Sequence, residues 1–491
     1  MYSKTSTIEI NGMRSNIIDI EANIFKGMFA FSIVGIQRSK VKESREKIIS
    51  CLKSLKIRLP NKKIIVNFSK NKSTINEDYY DLPILISLLK SLEVVKDKSD
   101  YLLIGHINLK GDLVPLENPY RIIKVALDNN VKKIVIPYDE NIFKIDNEKI
   151  DIYYAKNISE VINFLNNNHR INHPFNSNCE ISNSALTIND VIGQEALLRA
   201  LIISVVGRHH ILISGVSGSG KSISVEAINS IIPQSNMQEN LYINSFNQNF
   251  ENTFLCTPQI IKCMPNIKLR DFIGDASHIG LITKSSLSFL YMDEINIYSK
   301  AIIDNLRLPM ENRMIAFNDN DDTIYANSDF TLIATMNPCP CGNLGSEVNK
   351  CICSMGQISR YQDRVNKPLE ERFQIKINVD RVDMGKGDKK QHDIAFIKEK
   401  IKKAWILQKN RYNNVVGMYN GRLEKNEIDE FIGLDDSILI LINDLISFDN
   451  LSMRIRSNII VVARSIADYE NSFDIKEEHV YEALNYQKLT Y

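Results

Sequence analysis

The stretch Ile211-Leu212-Ile213-Ser214-Gly215-Val216-Ser217-Gly218-Ser219-Gly220-Lys221-Ser222 decides how this chain is read. Its opening residues, Ile211 to Ser214, are a short buried strand, and Gly215 to Ser222 fit G-x-x-x-x-G-K-[ST]. The residues from Ile223 through Ile232 carry a helical pattern. A strand, a glycine-rich loop and a helix in that order make a phosphate cradle. The glycines let the backbone come close, and the loop N–H groups and helix N-terminus supply positive potential. In this cradle Gly215, Val216, Ser217, Gly218, Ser219 and Gly220 wrap the phosphates of ATP. Lys221 reaches the β- and γ-phosphates, and Ser222 ligates Mg²⁺. A Gly/Ser loop without a ligand is the alternative. Lys and Ser in register between strand and helix speak against it.

Working outward, 491 residues exceed one ordinary core and imply roughly two to four domains. A net charge of +1 with 24% charged residues is ordinary soluble composition. It excludes a bulk electrostatic attraction to nucleic acid, so any basic surface is local. The longest apolar stretch, Ala196 to Val216, is broken by Arg199, Arg208, His209 and His210, so no transmembrane helix is expected. The opening MYSKTSTIEINGMRS lacks the apolar core of a signal peptide, and a cytoplasmic protein is expected. Four of the eight cysteines fall within Cys339–Cys353, a clustering that favours metal over disulfides in a reducing compartment.

Residues 1–165 alternate strand and helix patterns. Strands are expected at 29–34, 63–68, 101–105 and 134–136, and helices at 41–55, 82–92 and 120–127. Residues 166–186 are Asn/Ser-rich and form a linker. Residues 187–383 hold the nucleotide-binding core. From 384 to 491, after a Lys/Gly/Asp-rich junction, the pattern is helical, with a last helix at 480–486. No internal repeat of fixed period stands out.

Two further strands carry chemistry. Phe289-Leu290-Tyr291-Met292-Asp293-Glu294 is an apolar run ending in two acids, about seventy residues after the P-loop. Asp293 holds Mg²⁺, directly or through water, and Glu294 polarises the attacking water. Thr331-Leu332-Ile333-Ala334-Thr335-Met336-Asn337-Pro338 is another buried strand ending in a polar residue. Asn337 orients the water near the γ-phosphate, or simply makes an Asn-Pro turn. P-loop, Asp-Glu strand and Asn strand, in this order, resemble the Walker A, Walker B and sensor 1 of AAA+ ATPases.

The chain resembles more closely the magnesium-chelatase-like AAA+ family of the ComM/YifB type. The block Asn337-Pro338-Cys339-Pro340-Cys341-Gly342, with Cys351-Ile352-Cys353-Ser354 and Arg360-Tyr361, carries the resemblance. So do Asp190-Val191-Ile192-Gly193-Gln194, Val41-Lys42-Glu43-Ser44-Arg45, Tyr80-Asp81-Leu82-Pro83, Leu451-Ser452-Met453-Arg454 and Ala463 to Asp468. The resemblance runs nearly end to end. It implies an α/β architecture: an N-terminal Lon-protease-domain-like α/β domain, a central AAA+ P-loop α/β domain and a C-terminal helical lid.

It also implies a homo-oligomeric ring, a hexamer, with ATP between subunits and cationic fingers reaching across. Pro368-Leu369-Glu370-Glu371-Arg372-Phe373 resembles the finger segment of related helicases, so Arg372 acts on a neighbour's ATP. Arg454 matches sensor 2 of the lid. Arg360 and Arg364 are rival fingers, and a surface ion pair is the alternative for each arginine.

Cys339, Cys341, Cys351 and Cys353 offer four thiolates for Zn²⁺, although C-x-C is tighter than the usual C-x₂-C; free thiols are the alternative. The Lon-like domain shows no Ser/Lys dyad: the serine region is Tyr79 to Pro83 and the lysine region Pro119-Tyr120-Arg121. A scaffold or binding domain is expected there, not a protease.

The family role implied is ATP-driven remodelling of DNA, branch migration or helicase action, in recombination of incoming DNA. The alternative is a protein-remodelling or chelatase-type motor that does not bind DNA. Two departures bear on this. Pro265-Asn266-Ile267 stands where the family carries Pro-His-His. The hairpin Met314 to Ala326 carries Asp319, Asp321 and Asp322 at its tip, where related helicases carry basic residues. Lys389, Lys390, Lys398, Lys400, Lys402 and Lys403 are a candidate DNA contact, or a solvated helix face.

Overall fold

The computed structural model describes residues 1–35, 38–69, 79–97, 99–167, 171, 173–175, 185–246, 253–319, 322–346, 349–381, 391–448 and 451–489. Most of the expected 166–186 linker, the 384–390 junction, Lys389, Lys390 and Asp321 lie outside these residues.

The N-terminal unit is built on a seven-stranded mixed sheet. Its strand order is Ala30–Val34, Lys63–Phe68, Arg14–Phe25, Tyr2–Asn11, Leu102–Leu103, Lys133–Pro137 and Asp151–Ala155. The expected helices at 41–55, 82–92 and 120–127 are found at Arg38–Ser54, Asp81–Ser91 and Pro119–Asp128. The sequence reading passed over the long hairpin Tyr2–Asn11/Arg14–Phe25. Its signal is the alternation that buries Ile18, Ile20, Ala22 and Ile24. Gly12 opens its two-residue turn with φ +56°, which glycine adopts without strain.

The two faces of this sheet do different things. Arg38–Ser54, Asp81–Ser91 and Ile158–Asn167 bury Ile48, Leu52, Leu85, Leu88, Val161 and Phe164 in one apolar cluster. The other face, with Ile8, Ile10 and helix Pro119–Asp128, shares a second cluster with Leu241 and Phe254 of the central unit. Phe254 stacks on Phe143 with ring centres 4.7 Å apart. Met13 N also donates to Ala276 O at 2.9 Å, and a Cβ on Gly12 would stand 2.3 Å from that oxygen.

The central sheet is parallel throughout, in the order Ile260–Lys262, Phe289–Met292, Thr331–Met336, Ile211–Gly215, Ile375–Val379. The three inner strands, Phe289–Met292, Thr331–Met336 and Ile211–Gly215, are buried on both faces, hence their largely apolar runs. The expected helix 223–232 begins earlier, at Lys221, and after Ala227 tightens into a 3₁₀ turn over Ile228–Ile231.

The C-terminal unit is helical: Ile394–Arg411, Lys425–Phe431, Asp436–Phe448, Met453–Tyr469 and Glu477–Asn485. It docks on helix Glu195–Gly207. Trp405 Nε1 donates to both Val205 O and Val206 O at 3.1 Å, and Arg199 pairs with Glu470 and Glu482. Arg208 caps helix Glu195–Gly207 in the left-handed conformation, its guanidinium over the rings of Phe289, Trp405 and Tyr419. Among the described residues no helix is long and apolar enough to cross a membrane.

Candidate active site

Parallel strands bring their carboxyl ends to one edge, where such sheets receive ligands. Here that edge gathers Gly215, Asp293, Glu294 and Asn337. Gly215 must lack a side chain, since a Cβ would sit 2.3 Å from Val379 O. Gly218 and Gly220 take φ of +76° and +88°, turning the loop into the N-terminus of helix Lys221–Ala227. Gln194, buried, donates to Ser219 O at 2.9 Å and Asp380 O at 2.8 Å, tying the loop to the last strand. The Ser219 hydroxyl is buried and without a partner, an orphaned polar group inside a phosphate-shaped loop.

Lys221 folds back over this loop. Its ammonium donates to Gly215 O at 2.6 Å, Val216 O at 3.0 Å and Asn337 Oδ1 at 3.1 Å. Burial pushes it down to about 8, against the pull of Glu294 and Asp293. Ser222 Oγ donates to Asp293 at 3.3 Å from Oδ1, so the two expected Mg²⁺ ligands stand together.

Thr335 organises the acids. Its hydroxyl donates to Asp293 Oδ1 at 2.7 Å and accepts from Glu294 N at 2.9 Å. Glu294 is turned out of the strand in the left-handed conformation, φ +50°. Its Oε1 accepts from Asn337 Nδ2 at 2.9 Å. Lys221, Asp293, Glu294 and Asn337 are thus one connected network. Thr335 lies within Thr331–Pro338 and Gln194 within Asp190–Gln194, and neither motif by itself assigns them a role. Two-residue alternation puts Thr335 on the same side of its strand as Asn337, and that was the available signal.

Arg372 and Arg454 are not part of this network. Arg372 precedes strand Ile375–Val379, which starts level with Ile211, at the amino edge of the sheet. Four residues of strand, about 13 Å, separate that edge from Gly215. Both guanidiniums are bound there by one side chain, Glu311: Oε2 takes Arg372 and Oε1 takes Arg454. The rivals sit elsewhere. Arg364 donates to Asn296 O at 2.5 Å beside the acidic loop, and Arg360 lies exposed on helix Met355–Gln362, bonded to Gly356 O.

Cys339, Cys341, Cys351 and Cys353 converge with all four sulfurs within 4.8 Å of one another. The close pairs are 3.4, 3.6 and 3.6 Å apart. Tetrahedral Zn²⁺ with Zn–S of about 2.3 Å needs sulfurs about 3.8 Å apart, so the donor set fits. The N–H groups of Ile352 and Asn343 hold the Cys341 thiol below its ordinary range, favouring thiolate. This loop touches the phosphate cradle: Gly342 O accepts from Ser217 N at 3.0 Å.

The remaining expected features are scattered. Lys398 and Lys400 are half-buried, Lys400 lying over Tyr469, while Lys402 and Lys403 are exposed. The hairpin Met314–Asp319/Asp322–Asn327 forms as read, with Asp319 opposite Asp322 in the backbone ladder. Asp321 and the side chains of Asp319 and Asp322 lie outside the described residues. Sequence reading missed the exposed Tyr325 on this hairpin and the groove of about 690 Å³ beside it, lined by Leu269, Ile273, Leu308, Met314 and Phe317. In the N-terminal unit the serine region carries a buried Asp81 that accepts from His106 Nδ1 at 2.7 Å, with Lys47 on Nε2. In the lysine region Arg121 donates to Gly12 O.

Comparison with known proteins covers most of the chain. Residues 187–386 match the family described as magnesium chelatase, subunit ChlI. Residues 20–140 match subunit ChlI of Mg-chelatase, and 392–487 the ChlI C-terminal region. The chain is 26% identical to the competence protein ComM of Haemophilus influenzae, covering 100% of this chain and 97% of that one. It is 26% identical to the uncharacterized protein YifB of Escherichia coli, covering 97% and 95%. A segment of 106 residues is 26% identical to the archaeal Lon protease of Methanocaldococcus jannaschii, covering 22% of this chain and 16% of that protein.

Proposed function

The chain belongs to the magnesium-chelatase-like AAA+ family of the ComM/YifB type, and from that premise we propose that it is an ATP-hydrolysing ring motor that remodels DNA. One observation carries the reading. The groups that would bind ATP and activate water occupy the carboxyl edge of the central sheet, while Arg372 and Arg454 occupy the amino edge. A subunit alone holds two unlike halves of a site. A head-to-tail hexamer completes each site, one subunit giving the cradle and its neighbour both arginines. Arg454 then acts across the interface with Arg372, not on its own subunit's nucleotide.

The chemistry follows from the network. ATP phosphates enter the loop N–H groups, and Lys221 exchanges the Gly215 and Val216 carbonyls for β- and γ-oxygens. Mg²⁺ on Ser222 and Asp293 would offset phosphate charge. Glu294 accepts the proton of the attacking water, and Asn337, already on Glu294, orients that water. The neighbour's arginines stabilise charge on the transferred phosphoryl group. The four cysteines would hold Zn²⁺, which would brace the loop that touches Ser217.

The DNA reading draws on the relative named a competence protein and the family role in recombination. Its test is the ATPase rate with and without single-stranded or forked DNA. The expected result is stimulation, with affinity falling as salt rises. A second reading, a motor acting on polypeptide, is favoured by the apolar lining of the groove at Tyr325. Stimulation by an unfolded protein and none by DNA would select it.

A further inference from the structure

Glu311 was part of no motif, yet it joins two domains at the amino edge. It lies on the short helix Arg307–Asn312, just before the hairpin strand Met314–Asp319. Its carboxylate is shared between Arg372 of the core and Arg454 of the lid, one oxygen to each. All three line a cavity of about 530 Å³ that also presents Arg313 and Lys425. Burial works against ionisation of Glu311, but its bonds to Arg372 and Arg454 outweigh this and hold the carboxyl below its ordinary range.

The occupancy of Arg372 matters. Its Nη1 donates to Pro368 O and its Nη2 to Glu311, while its buried Nε has no partner. A phosphate oxygen approaching from a neighbour meets terminal nitrogens that each have one N–H already engaged. Two guanidiniums side by side also repel unless an anion lies between them. A carboxylate and a terminal phosphate are alike in this respect: each is an oxyanion that accepts from guanidinium.

Resting on the ring reading above, we infer that Glu311 is a positioning residue that stands in for the neighbour's terminal phosphate. It aligns Arg372 and Arg454 in the subunit alone and surrenders both when a neighbour's ATP arrives. Ring closure on ATP therefore costs two partly exposed ion pairs. Closure on ADP, which has no terminal phosphate, leaves them intact.

The test is self-association of the full chain, followed by sedimentation velocity with Mg²⁺ and either a non-hydrolysable ATP analogue or ADP. Glu311→Gln should lower the protein concentration for half-assembly about three- to tenfold in the ATP analogue and leave it unchanged in ADP. Glu311→Asp, with an arm too short to serve both arginines, should give a smaller shift in the same direction. It serves if the Gln variant does not fold. Adding Arg454→Ala to Glu311→Gln should remove part of the gain. Unchanged or weaker assembly of the folded Gln variant in the ATP analogue overturns the inference, as does an equal shift in ADP. Turnover of Arg372→Ala and Arg454→Ala separates the two levels. If both lose turnover while Glu311→Gln assembles as wild type, only the role of Glu311 falls. If neither loses turnover, the ring reading falls and takes this inference with it.

Discussion

Lys221 shows how one side chain can be both buried and ready. Three oxygens hold its ammonium, and burial lowers it to about 8. Bound phosphate raises it again, because an adjacent anion favours the charged form. Below pH 8 the lysine is charged with or without nucleotide, so affinity is level there. Above pH 8 the free protein loses the proton and binding must restore it. ATP affinity should fall as pH rises past about 8, by up to tenfold per pH unit, and equilibrium titration with the analogue measures this. Lys221→Ala should abolish tight binding altogether. Glu294→Gln should keep binding, since the amide preserves shape and can still meet Asn337, but lower phosphate release at least about a hundredfold. Normal turnover in that variant would remove Glu294 from the mechanism.

Elements matter where they touch one another. The cysteine loop is short, and Gly342 O presses on Ser217 N, so whatever orders the four sulfurs also orders the entry to the phosphate cradle. Zinc should co-purify at about one per chain. Replacing Cys351 and Cys353 with Ser should release it and weaken nucleotide binding, read by metal analysis alongside the same titration; metal-free protein freshly purified under reduction would leave these as plain thiols. Helix Met237–Phe246 is held from two sides. Asn118 of the N-terminal unit donates to Asn244 O and Ser245 O at 3.2 Å. Glu239 of the same helix, 2% exposed, accepts from Tyr419 and Lys409 of the lid. Glu239→Ala strands Lys409 and should lower unfolding stability by about 3 kcal/mol, seen by denaturant titration.

At the scale of the whole molecule the central sheet puts Glu294 and Arg372 at opposite edges, and the proposed ring brings them together. Inactive Arg372→Ala subunits mixed with inactive Glu294→Gln subunits should recover some turnover, because some interfaces then receive one intact copy of each group. Recovery should follow the mixing ratio. A mixture no more active than its parts would place Arg372 outside the neighbour's site. The N-terminal unit packs closely on the central one at Gly12, where Met13 N donates to Ala276 O and a side chain at Gly12 would collide with that backbone.

What the sequence by itself determined is the cradle, the acidic strand and the Asn337 strand. Each is a contiguous strand-to-loop unit, and burial on both faces writes itself as an apolar run followed by polar residues. Gly215 to Ser222, Asp293, Glu294 and Asn337 were legible because local geometry alone places them at the strand ends. The cysteine cluster was legible from its spacing, Cys339-x-Cys341 and Cys351-x-Cys353, and the fold of the loop brings the four sulfurs together. Only the tertiary structure decided that Arg454 joins Arg372 far from their own subunit's cradle, and that Glu311 binds both. Those residues come from three elements distant in the chain, so no period or spacing connects them. The hold of Thr335 on Asp293, of Gln194 on Ser219 O and of Gly342 on Ser217 is equally a product of packing. A hydrogen bond between distant segments forms where the folded backbone puts donor and acceptor within about 3 Å, and that distance is a property of the fold.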